Sequence, residues 1–162
     1  MDLDDLPERS RLVQEHLRRA GVQARVHQLP QSTRTAAEAA AALGCPVGAI
    51  ASSLLFLADG EPLLVMTSGG HRVDPAVLAA AVGARSIEMA SAKQVRSITG
   101  QAIGGVSPAG HPTRLRTVVD RTLQDHDTVW AAAGTPHTVV PLTFDELVAL
   151  TEGETVVVTA GS

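Results

Sequence analysis

Apolar positions in the chain switch repeatedly between helical and strand spacing. From about Pro7 to Ala20, Leu12, Val13, His16 and Leu17 fall on one helical face, with Arg and Glu opposite and Gly21 as the stop. Ala24–Leu29 alternates apolar and polar, which predicts a strand closed by Pro30. Thr35–Leu43 is alanine-rich, with Ser32, Thr33 and Thr35 as cap residues before it and Gly44 and Pro46 after it, so a helix is expected. Two apolar runs, Ser52–Ala58 and Pro62–Thr67, are joined by Asp59-Gly60, the dipeptide that suits a two-residue hairpin turn.

Capping chemistry organises the second half. Asp74 followed by Pro75 opens a helix that runs to Gly83, since Asp accepts from the first amides and Pro fits the first helical position. Ser91 with Gln94, and Thr143 with Glu146, have the spacing of capping boxes and open helices ending near Gly100 and Leu150. Strands are predicted at Leu115–Asp120, Thr128–Ala133, Thr138–Leu142 and Thr155–Thr159. A central hairpin and three late strands in succession do not fit regular βαβ alternation. The expected fold is α/β: a single domain over 1–162, with a mixed, mostly antiparallel, barrel-like sheet flanked by helices.

Composition narrows the function. The chain has 162 residues, enough for one domain, and 44% hydrophobic residues, enough for a core. A formal net charge of −4 argues against a duplex-DNA binder. Phe56, Phe144 and Trp130 are the only aromatic side chains, too few for stacking along a single strand. Of the 13 basic residues all are Arg except Lys93, so lysine chemistry elsewhere is excluded. The apolar runs are too short for a membrane span and Met1–Asp5 is acidic where a signal peptide is basic, so a cytoplasmic protein is expected. Cys45 is alone, which excludes a disulfide framework, and its place between a helix end and Pro46 suits a small buried filler. The six histidines show neither HxH nor HExxH spacing, and no GxSxG elbow or Walker loop is present.

The most unusual segment runs from Gly104 to Pro112. Adjacent Gly104 and Gly105 allow close backbone approach and can present amides to a carboxylate, a phosphate or the oxyanion of acyl transfer. A tight turn between helix and strand is the plainer alternative. His71 and Asp74 flank a Gly69-Gly70 turn and could pair, although Asp74 also suits an N-cap. His111 and His137 sit beside Gly or Pro in loops, whereas His16 on a helix face suits a packed histidine.

Five ordered blocks, Ser32–Ala40, Ile50–Phe56, Ser68–Asp74, Thr99–His111 and Val129–Thr135, together resemble the YbaK family of aminoacyl-tRNA deacylases, related to the editing domain inserted in bacterial prolyl-tRNA synthetases. The resemblance spans roughly Arg9 to Leu150. It implies a trans-editing hydrolase that cleaves the ester of a misacylated tRNA, often a proline tRNA. It also implies that the backbone of Gly104, Gly105, Val106, Ser107 and Pro108 lines the aminoacyl pocket, with no metal, cofactor or side-chain nucleophile. Ser52, Ser53, Thr35, His71, Asp74, His111 and His137 are then candidates for substrate contact. Partners would be the aminoacyl-tRNA acceptor end and an aminoacyl-tRNA synthetase. The family usually carries a lysine where Ser52 stands, so Arg34, Arg72 or Arg114 would have to supply that charge. The alternatives are a catalytically degenerate module binding an aminoacyl-adenosine-like ligand or a synthetase, and a small-molecule ester or amide hydrolase.

Overall fold

A computed structural model describes residues 6–160, so Met1–Asp5 lie outside the described residues. Five helices, α1 (Glu8–Arg19), α2 (Ala36–Leu43), α3 (Pro75–Val82), α4 (Ala92–Thr99) and α5 (Phe144–Thr151), flank one sheet. Its strands are β1 (His27–Gln28), β2 (Ile50–Ala58), β3 (Glu61–Ser68), β4 (Ile87–Met89), β5 (Arg116–Asp120), β6 (Val129–Ala132), β7 (Thr138–Leu142) and β8 (Glu154–Val156). The spatial order is β1-β7-β6-β2-β3-β5-β8, with β4 also paired to β2. Antiparallel pairings (β1/β7, β6/β7, β2/β3, β2/β4) outnumber parallel ones (β2/β6, β3/β5, β5/β8), as the strand order implied.

Local chemistry fixes most boundaries. Thr35, Ser91 and Thr143 each accept from the amide three residues on, and Glu38, Gln94 and Glu146 return the bond. The β2–β3 hairpin turns through Asp59 (φ 51°) and Gly60 (φ 83°), both left-handed as a type I′ turn requires.

Two strand boundaries differ from expectation, each because a hydrogen bond goes elsewhere. The Ala24–Leu29 strand shrinks to β1, because the Gln14 side chain accepts from the Val26 amide (2.8 Å) and donates to the Ala24 carbonyl (2.9 Å). The last strand is Glu154–Val156, because the Val158 carbonyl accepts from the Asp74 amide instead (2.8 Å). Helix α1 buries Ser10, Val13 and Leu17, while Leu12 and His16 are exposed. The Ser10 hydroxyl is tolerated there by a 2.9 Å bond to Thr138 Oγ1, which removes its burial penalty.

The sheet separates two cores. Leu64 and Met66 of β3 join Val13, Leu17, Ala51, Leu55 and Leu147 on one side. Leu63 and Val65 join Phe56, Leu78 and Val118 on the other, beneath α3. A small third cluster of Ala39, Ala40 and Ile50 lies under α2.

Candidate functional site

The register of β2 creates the site. On one edge β2 pairs with β6 only at Ile50–Ala51 and with β4 only at Phe56–Ala58. Residues 52–54 therefore have no strand alongside them on that edge, and a cavity of about 260 Å³ occupies the gap. Thr33–Ala36 and the Ile103–Val106 turn close over it, with Trp130 and Val139 completing the wall.

Gly104 stands at the cavity with φ +88°, and a Cβ there would meet Arg34 Cγ at 2.9 Å and Arg34 Cα at 3.0 Å. Gly105 is pressed against another segment: its Cβ would lie 2.7 Å from the Thr135 carbonyl carbon. The glycines thus serve first to bring two loops of the chain itself together. The Gly105 amide donates to Ala102 O (2.9 Å), and its carbonyl accepts from Gly134 N (2.9 Å). Among the described residues, the Gly104 and Val106 amides make no hydrogen bond.

The rest of the loop turns away. Ser107 is fully buried, and Gln101 holds it: the Ser107 amide donates to Gln101 Oε1 (2.9 Å) and Gln101 Nε2 donates to the Ser107 hydroxyl (3.1 Å). That hydroxyl also bonds the Ala109 carbonyl. Pro108 and His111 line a different cavity, of about 400 Å³, beside His16, Arg114 and Glu152. His111 Nε2 donates to the Ser107 carbonyl (2.8 Å). Burial pulls the His111 pKa below its ordinary value, the Ser107 bond opposes this, and His16 adds a smaller depression.

The other predicted residues divide in the same way. Ser52, Ser53 and Thr35 all line the 260 Å³ cavity, Ser53 also donating to Met66 Sδ (3.1 Å) and Thr35 capping α2. The anticipated His71–Asp74 pair does not form. Asp74 caps α3 by accepting from the Ala76 amide (2.9 Å), and His71 Nε2 instead meets Asp120 Oδ2 at 2.6 Å. His137 is exposed and lies outside the cavity lining, since its neighbour Thr138 is the residue drawn inward.

Of the three arginines considered for the missing lysine, Arg34 lines this cavity and is the only charged residue that does so among the described residues. Arg72 lines an adjoining cavity, and Arg114 pairs with Glu152 on the far side. Lys93 is exposed on α4. Burial raises the Cys45 thiol above its ordinary pKa, which disfavours the reactive thiolate.

Asp120 and Gln101 were not singled out in the sequence. Asp120 closes the apolar Leu115–Asp120 run, an acid where a buried strand ends, and that was the available signal. Its carboxylate is fully buried and accepts from the Ser68 amide (2.9 Å), Thr67 Oγ1 (3.2 Å), the Thr122 amide (3.0 Å) and Thr122 Oγ1 (2.9 Å), besides His71. Burial raises its pKa, but these bonds outweigh it and hold the carboxyl below its ordinary value.

An interrupted mixed sheet with a glycine turn over the gap forms a small cleft whose described lining is backbone, hydroxyl and apolar groups with Arg34. Family comparison names the class of protein. The aminoacyl-tRNA editing domain model matches residues 30–150, and the chain belongs to that family. A crystal structure described as a candidate trans-editing enzyme for prolyl tRNA synthetase superposes with a TM-score of 0.91 at 40% identity, covering 97% of this chain and 100% of that one. The proline–tRNA ligase of Geobacter metallireducens is 33% identical over 97 residues, 60% of this chain and 16% of the ligase. That of Bacillus licheniformis is 36% identical over 105 residues, 62% of this chain and 18% of the ligase. The chain thus spans less than a fifth of the length of these curated relatives. Among the described residues, no helix is long and apolar enough to cross a membrane.

Proposed function

We propose that the protein is a trans-editing deacylase of the cytoplasm, hydrolysing the ester between a wrong amino acid and the terminal adenosine of a proline tRNA. The observation that carries this reading is the pair of unpartnered amides, Gly104 and Val106, at a cavity of about 260 Å³ sized for a small aminoacyl group. In the reaction, water attacks the ester carbonyl carbon, the acyl–oxygen bond breaks, and the ribose oxygen leaves with a proton. Negative charge develops on the carbonyl oxygen, where preorganised amides gain most; one such donor is worth about 3 kcal/mol of barrier. Ser52 and Ser53 provide hydroxyls for the ribose, and Arg34 supplies charge for its phosphate in place of the family lysine. Holding only the acceptor end this way needs a local cation rather than a broad basic face, consistent with the net charge of −4.

Among the described residues no carboxylate or imidazole lines the cavity, and in this reading the proton passes through water and the neighbouring ribose hydroxyl. The same feature, with Ser52 replacing a lysine, favours the second reading: a module that binds the acceptor end or a synthetase without turnover. A panel of misacylated tRNAs separates the two. Release of the amino acid from one or more proline tRNAs supports the deacylase. Binding without release at high protein concentration supports the second reading, and hydrolysis of simple amino acid esters alone points to a small-molecule hydrolase.

A further inference from the structure

The cavity of about 400 Å³ behind the glycine-rich loop shares no lining residue with the cleft, among the described residues. Five ionisable side chains line it: His16 and Arg19 from the last turn of α1, His111 and Arg114 from the loop, and Glu152 after α5. Four of the five are cations or imidazoles, in a chain whose formal net charge is −4. The two helix ends that meet there do not require this concentration. The carbonyls of His16, Leu17 and Arg18 already accept from the amides of Ala20, Val22 and Gly21. Those of Leu147 and Val148 accept from Thr151 Oγ1 and the Gly153 amide. Both ends are thus satisfied without a side-chain cation.

Neither arginine is tightly held. Arg19 Nε lies 3.7 Å from Glu15, which Arg18 binds more closely at 2.7 Å, and the Arg114–Glu152 pair is exposed on both sides. Exposed pairs of this kind contribute little, so an oxyanion can take either guanidinium. His111 is half-buried and its Nε2 donates to the Ser107 carbonyl, which leaves Nδ1 as the ring's second position. Burial and His16 both disfavour charge on that ring, and an anion between the two imidazoles reverses the second effect. The buried hydroxyls of Thr117 and Thr151 donate to the carbonyls of Leu115 and Leu147, so the side-chain donors left in the cavity are chiefly its cations. Guanidinium forks beside imidazoles match the oxygens of a phosphate. Past Arg114, Thr117 and Glu152 the cavity continues into a groove of about 420 Å³ that adds Arg116 and Glu154, with room for the rest of a small molecule.

We propose that this cavity binds the phosphate group of a small phosphate monoester, held by Arg19, Arg114, His16 and His111. Binding is coupled to proton uptake by the imidazoles and strengthens as pH falls. The site is independent of the chemistry assigned to the cleft, and so is its test.

The full chain is titrated with sulfate, inorganic phosphate and glycerol phosphate by NMR at about pH 6 and about pH 8, with sodium chloride at matched ionic strength as the control. Sulfate stays a dianion across this range, so its pH dependence reports on the protein. It is expected to shift resonances of His16, His111 and Thr113 and to bind about tenfold more tightly at the lower pH. Glycerol phosphate is expected to bind more tightly than inorganic phosphate. Arg114→Gln should weaken each anion about tenfold, whereas Glu152→Gln should strengthen it about threefold, a gain that structural damage would not produce. His111→Gln, which keeps a donor for the Ser107 carbonyl, should remove most of the pH dependence. The site is overturned if sulfate does no more than chloride, if its shifts centre on Arg34, if affinity does not rise on acidification, or if Arg114→Gln binds as tightly as wild type. Inorganic phosphate that binds as tightly as glycerol phosphate overturns the monoester assignment, and so does an RNA minihelix that displaces sulfate from His111.

Discussion

The two halves of the glycine-rich loop are adjacent in sequence and opposite in role. At Gly104 and Val106 the backbone donors have no partner and stand at the cavity. From Ser107 to His111 every feature that looked available for chemistry is consumed internally: the Ser107 amide and hydroxyl by Gln101 and Ala109, and the His111 ring by the Ser107 carbonyl. The second half is tied to Gln101 and to itself by these bonds. In the proposed deacylation such preorganisation matters, because an amide that must reorient during reaction stabilises little.

The largest effect should come from Gly105→Ala. The new Cβ would lie within 3.0 Å of three Thr135–Pro136 backbone atoms, so the two loops must move apart. A destabilisation of about 2–3 kcal/mol is expected, and misplacing the donors should cost about 10²-fold in deacylation. Unchanged activity and melting temperature would show that the two loops are not held by this contact. Gln101→Ala tests the bonds to Ser107: it leaves the buried Ser107 amide unpaired, at about 1–3 kcal/mol in chemical denaturation, and should loosen the donors enough to lower kcat about tenfold. Activity that survives while stability falls would break the link between the halves.

Ser52→Lys asks whether the lost family cation still has a place. A lysine where Ser52 lines the cleft should speed deacylation, chiefly through a lower KM, by about tenfold. Arg34→Ala should raise KM by a similar factor and flatten its salt dependence. The smallest effect on rate is expected at His111, whose ring faces the other cavity. His111→Gln should change deacylation less than about threefold at neutral pH.

The pH dependence of stability provides the complementary reading. The folded His111 pKa lies below its ordinary value of 6.5, with burial the main cause. The neutral ring therefore contributes stability that is fully present above that value and is lost as pH falls through the folded pKa. Thermal midpoints should drop on acidification through this window in the wild type and less so in His111→Gln. Asp120, whose pKa is also depressed, follows the same sign at lower pH, contributing above its ordinary value of 3.8 and failing as pH falls through the folded one.

Features decided within four residues were legible in the sequence. The capping boxes at Thr35, Ser91 and Thr143, the Asp74–Pro75 helix start and the Asp59–Gly60 hairpin all depend on near neighbours, and all are present. The family was legible because five blocks keep their order, although no single block is decisive. What escaped was set across the fold. His71 and Asp120 are 49 residues apart, and no local pattern joins them. The gap beside Ser52–Leu54 exists because β6 and β4 approach β2 at opposite ends, a matter of register rather than of composition. Ser10 faces the core because Thr138 meets it there, not because serine is apolar. The loop histidines looked functional because Gly and Pro surrounded them, but His111 is occupied by its own loop and His137 points to solvent.

The measurement that bears most directly on the central claim is single-turnover deacylation of a misacylated proline tRNA by Gly104→Ala, with thermal unfolding measured on the same sample. Alanine keeps the amide but cannot keep it in place, because φ is +88° and Arg34 occupies the Cβ position. The account predicts a rate loss of about 10²-fold in a protein that remains folded. A Gly104→Ala protein that hydrolyses the ester at the wild-type rate would contradict it.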